Sequence, residues 1–418
     1  MPVYVIIGAG LAGAKAAETL RAEGFTGDIV LVGSERERPY ERPPLSKGYL
    51  QGSTELTKVY VHDPEWYDAQ GVDLRLGTTA TSIDPRARVV SLTTGEGQDV
   101  VAAQPYDKLL IATGASPRPL RVEGADLGGV HYLRTVADSQ ALRNTFARGG
   151  DVVIVGAGWI GLETAAAARQ AGCAVTVVEP DPTPLYRTFG PAVGEIFASL
   201  HRAHGVEFRL GASVQALRGT SDVREVVTSE GEVLPATDVV VGIGASPNVE
   251  IGRTAGLEIA DGIVVDASLR TSDPDIYAAG DVAEAVNPLL GRRIRVEHWA
   301  NALNGGPAAA RAMLGQDVVY DRVPYFFTDQ FDLGMEFSGD VAGHDQVVYR
   351  GDPAIHRAVT PEFLAFWVEQ GRVLAGMNVN VWDVTEEIQA LVRAGQAGRA
   401  VDLGRLADPK IPLSDLLS

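Results

Sequence analysis

Gly8-Ala9-Gly10-Leu11-Ala12-Gly13 and Gly156-Ala157-Gly158-Trp159-Ile160-Gly161 repeat one pattern, Gly-x-Gly-x-x-Gly. The chemistry it serves is capture of a dinucleotide pyrophosphate. The first glycine permits a tight turn, the second lets backbone approach the phosphates, and the third lets a helix pack closely on a strand. Amides at the helix start then face the phosphates. One match is a weak signal. Two, each after an apolar strand, before a helix and ahead of an acid, point to two dinucleotide sites. The acid after the second copy is Glu179, where a carboxylate accepts hydrogen bonds from adenosine ribose hydroxyls and repels a 2′-phosphate. With Asp181 close by and no adjacent Arg or Lys, NADH is preferred over NADPH, although Arg187 can still contact an adenosine phosphate. After the first copy the strand ends Val32-Gly33-Ser34-Glu35. Either Ser34 or Glu35 serves that ribose, with Glu35 favoured for the hydroxyls.

The elements that must position these residues repeat as well. Val3–Ile7, the first turn, an alanine-rich helix and Ile29–Val32 are matched by Val152–Val155, the second turn, another such helix and Val175–Val178. A third strand closes each half, Lys108–Ile111 running into Ala112-Thr113-Gly114, and Val239–Val241 running into Gly242-Ile243-Gly244. Continuous apolar strands alternating with helices indicate parallel sheets covered on both faces. The expected class is therefore α/β, with two Rossmann-like, doubly wound nucleotide-binding domains. Alternating segments such as Val89-Val90-Ser91-Leu92, between the copies, suit short antiparallel strands. Arg118, beyond Ala115-Ser116-Pro117, either reaches a pyrophosphate or stands in an exposed loop. From about Tyr325 the nucleotide motifs stop, and strands such as Gln346–Tyr349 and Phe363–Trp367 precede one helix. Asp383 and Glu386 have capping-box spacing ahead of Ile388, Leu391 and Val392. This tail reads as a third, α+β domain.

Composition narrows the function. The 36 Lys and Arg against 54 Asp and Glu give a formal charge of −18, which opposes nucleic acid and anionic lipid as partners. An acidic protein partner must meet a local basic patch. The chain has one cysteine, Cys173, so an internal disulfide framework, a four-cysteine cluster and two-thiol redox chemistry are all excluded. Cys173, in Gln-Ala-Gly-Cys-Ala-Val, reads as a small buried residue between a helix and a strand. The sequence enters its first strand without a charged n-region or an apolar h-region. No apolar run approaches the roughly 18 residues that span a bilayer. A cytoplasmic protein without a membrane partner is expected.

At five segments the chain resembles the FAD- and NADH-dependent ferredoxin reductases of cytochrome P450 and ring-hydroxylating dioxygenase systems, of the putidaredoxin reductase type. These are Gly8–Gly13, Arg42-Pro43-Pro44-Leu45-Ser46-Lys47, Ala112-Thr113-Gly114, Gly156–Glu163, and Thr271-Ser272-Asp273-Pro274 through Gly280-Asp281; Glu297-His298-Trp299 adds to them. The resemblance implies FAD at the first turn and NADH at the second. It implies a discontinuous FAD domain, 1–110 and 247–320, around an NAD domain, 111–246, with 321–418 as the C-terminal domain. Asp281 then contacts the ribityl chain. Lys47 and Glu163 resemble a pair at the flavin ring, the lysine stabilising charge on reduced flavin and the glutamate holding the lysine; the alternative is a surface ion pair. Thr79 and Ala80 fall where the family backbone meets adenine, and Arg42 and Arg134 among its FAD contacts. Trp299 stands where an indole can stack on the flavin or the nicotinamide. His298 reads as structural, since hydride transfer to flavin needs no protein base.

Two features depart from the family pattern. Ser34 stands where many relatives have an acid. Asn304-Gly305-Gly306-Pro307 replaces a helical stretch that in some relatives carries basic residues near the ferredoxin surface. Arg292, Arg293, Arg295 and Arg311 are the nearby candidates for a docking patch. The implied acceptor is a separate 2Fe-2S or similar ferredoxin feeding a P450 or dioxygenase, with the reductase a monomer or homodimer. Two other readings use the same cofactors. One is an NADH oxidase or reductase of small acceptors such as quinones; the other is a redox-sensing interaction protein resembling apoptosis-inducing factor.

Overall fold

The computed structural model describes residues 1–95, 102–354 and 361–417. The chain divides into two compact units, one of residues 1–41, 56–116 and 246–324, the other of residues 42–55, 117–245 and 325–418.

β-branched runs make the core of the first unit. Val3–Ile7 lies between Asp28–Val32 and Lys108–Ile111, with Val72–Arg75 and Ile276–Ala278 at the edges, and all four pairings are parallel. Val5, Ile6, Leu31, Leu109, Leu110 and Ile276 are buried between layers, as strands covered on both faces require. Ile83, Val90 and Leu92, from an antiparallel sheet of Thr78–Asp84, Val89–Thr94 and Ala102–Pro105, join the same core. The alanine-rich helix Leu11–Ala22 packs against a second helix, Trp299–Met313.

That second helix corrects the expectation for Asn304–Pro307, which continue the helix instead of interrupting it. Locally Asn-Gly-Gly-Pro reads as a breaker. The packing explains its presence: a Cβ on Gly306 would lie 2.2 Å from the carbonyl oxygen of Ala12. Only a bare Cα lets the two helices come so close. Asn304 Nδ2 also donates to Ala300 O at 2.7 Å, which supports the turn before Pro307.

The second unit repeats the plan. Asp151–Val155 is flanked by Ala174–Glu179 and Asp238–Val241, with Val206–Leu210 and Val130–His131 outside them, all parallel. Its remaining large element is a five-stranded antiparallel sheet ordered Tyr325–Gln330, Leu333–Gly339, Arg372–Val379, Phe363–Glu369, Gln346–Gly351. The helix Thr385–Gln396 covers it with Ile388, Leu391 and Val392. The expected capping box is absent there. Val384 is the N-cap and makes no side-chain cap hydrogen bond, and Asp383 before it takes a left-handed φ of +61°. Two parallel αβ layers and a C-terminal α+β element are thus the observed fold. Among the described residues no helix is long and apolar enough to cross a membrane.

Candidate functional site

Each glycine turn is closed by contacts that exclude any side chain. In the first unit a Cβ on Gly13 would meet Gly8 O at 2.1 Å, and in the second a Cβ on Gly161 would meet Gly156 O at 2.0 Å. The middle glycines differ. Among the described residues, and apart from the chain neighbours, no atom lies within 4 Å of a Cβ position on Gly10, and Gly242 O alone, at 4.0 Å, approaches that of Gly158. Both residues are N-caps without a capping side chain. Open ground before uncapped helix amides fits a pyrophosphate at each turn.

Around the first turn, Ala112–Gly114 lies against the glycines, for Ala112 N donates to Ile7 O at 2.7 Å. Asn248, which sequence reasoning missed, fixes this segment. Its Nδ2 donates to Thr113 O at 2.8 Å, its carbonyl accepts Thr113 Oγ1 at 2.8 Å, and its Oδ1 accepts Ser116 Oγ at 2.8 Å. The signal was a repeat, Gly-Ala-Ser-Pro at 114–117 and again at 244–247, with Asn248 next. Glu35 accepts from Tyr40 Oη at 2.6 Å, whereas Ser34 is exposed. Thr79 is exposed, and Ala80 packs on the unit's core, both on Thr78–Asp84.

Gly280–Asp281 and Glu297–His298–Trp299 are drawn together by Arg295. Its buried guanidinium pairs with Glu297, reaches Asp261 at 3.1 Å, and donates to the Asp281 carbonyl at 3.4 Å. Burial opposes that charge, but Glu297 and Asp261 outweigh it and hold Arg295 above its ordinary value. Arg295 is therefore a clamp and not part of an open basic patch. Arg311 is likewise tied, to Glu23 at 2.8 Å. Burial pushes His298 down to about 4 despite Asp281, so the imidazole is neutral near pH 7. Trp299 opens the long helix that His298 caps.

In the second unit Glu179 ends its strand with both carboxylate oxygens aimed at backbone. Oε2 accepts the Ala157 amide at 2.6 Å and Oε1 the Asp181 amide at 3.0 Å. It thus braces the turn it was expected to complement. Arg187 Nε pairs with Asp181 at 2.8 Å on the surface. Ile160 and Ile243, within the two glycine segments, are 41% and 37% exposed. Leu185 N donates to Ala157 O at 3.1 Å, which brings the half-exposed Tyr186 beside the same turn, a residue no local pattern flagged. Gly242 and Gly244 flank Ile243, and Arg118 donates from its amide to Gly244 O and from Nε to Ala245 O, each at 2.9 Å. Trp159 turns inward onto Phe189, Phe197 and Phe326, with ring centres 5.6, 5.5 and 5.0 Å away.

Lys47 and Glu163 meet in this unit at 2.7 Å. Glu163 is only 3% exposed, so this is a buried pair and not a surface one. Its carboxylate also accepts from Ser46 Oγ and from Thr328 Oγ1, the latter at 2.6 Å. Lys47 Nζ stands 5.3 Å from the ring centre of Phe327. Arg42 donates to the backbone carbonyl of Arg134, bringing those two expected residues together. Sequence gave no sign of Thr328 or of its neighbour Gln330.

His201, buried on the helix Tyr186–Ala203, is pushed by burial down to about 4, against an ordinary value near 6.5. An unfolded chain therefore takes up a proton below about pH 6.5 that the folded one refuses until about pH 4. Stability is full above that window and falls as pH drops through it, by up to about 3 kcal/mol from this group alone. Thermal unfolding followed from about pH 7 to about pH 4.5 will show the decline, and His201→Gln will lessen its slope by about one proton.

Comparison with known proteins adds to this geometry. Residues 2–306 match the pyridine nucleotide-disulphide oxidoreductase family, and residues 325–417 match the reductase C-terminal domain. The chain is 41% identical over 416 residues, 99% of each, to the ferredoxin–NAD(+) reductase component of the anthranilate 1,2-dioxygenase system of Burkholderia cepacia. It is 37% identical to putidaredoxin reductase of Pseudomonas putida, across 90% of this chain and 88% of that one. Among solved structures it resembles the reductase of the covalent putidaredoxin reductase–putidaredoxin complex, with TM-score 0.92, 34% identity, and coverage of 100% of this chain and 98% of that one. These relatives bear out the resemblance carried by the motifs. The disulphide chemistry in the family description needs two thiols, and Cys173 is single and buried. The chain belongs to the pyridine nucleotide-disulphide oxidoreductase family, in the form that carries the reductase C-terminal domain.

Proposed function

We propose that this chain passes electrons from NADH, through FAD, to a 2Fe-2S or similar ferredoxin that feeds a cytochrome P450 or a ring-hydroxylating dioxygenase. The observation that carries this reading is the pair of closed glycine turns, one in each unit, in a chain that aligns over nearly its full length with ferredoxin reductases. FAD, when bound, accepts two electrons together and gives them up singly.

The residues divide the work. Gly8–Gly13, Glu35, Thr79, Ala80, Ala112–Gly114 and Asp281 hold FAD, with Arg42, Arg134 and the Glu297–Trp299 segment; residues 1–110 and 247–320 form that domain. Gly156–Gly161, Glu179 and Gly242–Gly244 hold NADH within 111–246, and 321–418 completes the chain. Lys47, kept in place by Glu163, supplies the positive charge that favours reduced flavin, since opposite charges attract more strongly away from water. The enzyme works in the cytoplasm as a monomer or homodimer.

Docking falls to Arg292 and Arg293. Both are exposed on the hairpin of Ala283–Asn287 and Arg292–Arg295. On a chain of net charge −18, a basic hairpin concentrates attraction for an acidic ferredoxin at one place. Arg292→Glu with Arg293→Glu is expected to raise the ferredoxin KM about tenfold and to weaken its salt dependence, with ferricyanide reduction unchanged. The wider reading is tested by reducing the holoenzyme anaerobically with NADH and comparing reoxidation by ferredoxin, quinone and oxygen. A quinone or oxygen rate above the ferredoxin rate would make the enzyme an oxidase or quinone reductase.

A further inference from the structure

Behind Lys47 and Glu163 runs a line of polar side chains that the reading above leaves without a task. Thr328, Gln330 and His201 are 1%, 0% and 0% exposed. Thr328 and Gln330 lie two apart on Tyr325–Gln330, so they share one strand face. Burying three such groups is costly unless each is hydrogen-bonded. Here the bonds form a single file: Thr328 Oγ1 to Glu163 Oε1 at 2.6 Å, Gln330 Nε2 to Thr328 Oγ1 at 3.1 Å, and His201 Nε2 to Gln330 Oε1 at 2.8 Å.

The carboxylate sets the polarity of the whole file. Ionised Glu163 can only accept, so Thr328 must spend its one proton on it. The Thr328 oxygen is then an acceptor, which takes the Gln330 amide nitrogen as donor. The Gln330 oxygen must in turn accept, so neutral His201 carries its proton on Nε2. His201 Nδ1 has no hydrogen-bond partner among the described residues, as that tautomer allows.

We propose that Thr328, Gln330 and His201 are positioning residues, a directed file of hydrogen bonds that spreads the charge of Glu163 and so sets how much positive field Lys47 retains for the flavin. Each donor polarises the next, and all point toward Glu163. Without the Thr328 hydroxyl, the carboxylate charge falls more fully on Lys47, and the lysine offers less to reduced flavin. The inference rests on the reading that Lys47 serves the flavin.

The test uses holoenzyme at a fixed NADH/NAD+ ratio and reads the equilibrium ratio of reduced to oxidised flavin from the visible spectrum. Thr328→Val should lower that ratio about tenfold, the worth of one hydrogen bond to a charged group, and Gln330→Leu should lower it about threefold. Thr328→Ser should stay within about twofold of wild type, and Thr328→Val added to Lys47→Ala should change nothing further, because the file acts through the lysine. If Lys47→Ala moves the ratio while Thr328→Val and Gln330→Leu do not, or if the effects simply add, the positioning role falls and the placement of Lys47 stands. If Lys47→Ala itself leaves the ratio unchanged, that placement falls and this inference with it. Nitrogen NMR of the wild-type holoenzyme gives a check that needs no variant. The His201 proton should sit on Nε2, and a proton on Nδ1 overturns the file.

Discussion

Gly161→Ala is expected to abolish reduction of the flavin by NADH while leaving FAD bound, and Gly13→Ala to yield protein without FAD. The added carbon in either variant would stand about 2 Å from a backbone carbonyl oxygen of the same turn, well inside contact distance. Backbone cannot swing aside as a long side chain can, so the helix start must retreat from its strand. The amides that face a pyrophosphate retreat with it. For Gly161→Ala this predicts a loss in NADH kcat/KM of at least about a hundredfold, the worth of two or so charge-assisted hydrogen bonds. Flavin absorbance per protein after gel filtration and stopped-flow reduction by NADH separate the two variants. Loss of FAD from Gly161→Ala, with NADH binding intact, would mean that the two turns have been assigned the wrong way round.

Glu179→Arg should invert the nucleotide preference. The ribose hydroxyls lose their acceptor, and a 2′-phosphate gains a cation in place of a repelling carboxylate. The ratio of kcat/KM for NADH to that for NADPH should fall by about a hundredfold or more, since each 1.4 kcal/mol is tenfold and two interactions change sign. The structure tempers the absolute rates. Glu179 also holds the amides of Ala157 and Asp181, so its loss loosens the turn for either nucleotide. Both kcat/KM values should therefore lie below what charge reversal alone would leave. Glu179→Gln, which keeps an acceptor oxygen without the charge, should retain more NADH activity. A nucleotide preference unmoved by Glu179→Arg would remove Glu179 from the ribose.

What could be read from the sequence was what is local in the chain. A glycine turn, its strand and its helix occupy adjacent residues, so the chemistry of the turn and the order of the elements appear together in Val3–Leu20 and in Val152–Ala168. The pairing of Lys47 with Glu163 came through the resemblance alone, because no pattern links residues 116 positions apart. Thr328 is 165 positions from Glu163, on a strand whose neighbours are all C-terminal, and it gave no signal at all. The helix through Asn304–Pro307 was hidden for the opposite reason. There the local signal was strong and pointed to a break, and a close helix contact overrode it. Asp383 and Glu386 offered the right spacing for a cap, but the chain enters that helix through a left-handed residue and the cap never forms.

The strand Tyr325–Gln330 begins the C-terminal sheet, yet two of its side chains serve a carboxylate that belongs to the helix after the second glycine turn. A chain cut just before Tyr325 would keep every nucleotide motif and strip Glu163 of the Thr328 donor. On the proposed role of this file, the C-terminal segment is not cargo that a shortened chain could shed while keeping the electrochemistry of the whole. A graft of the two nucleotide modules into another protein would have to carry this one strand with them.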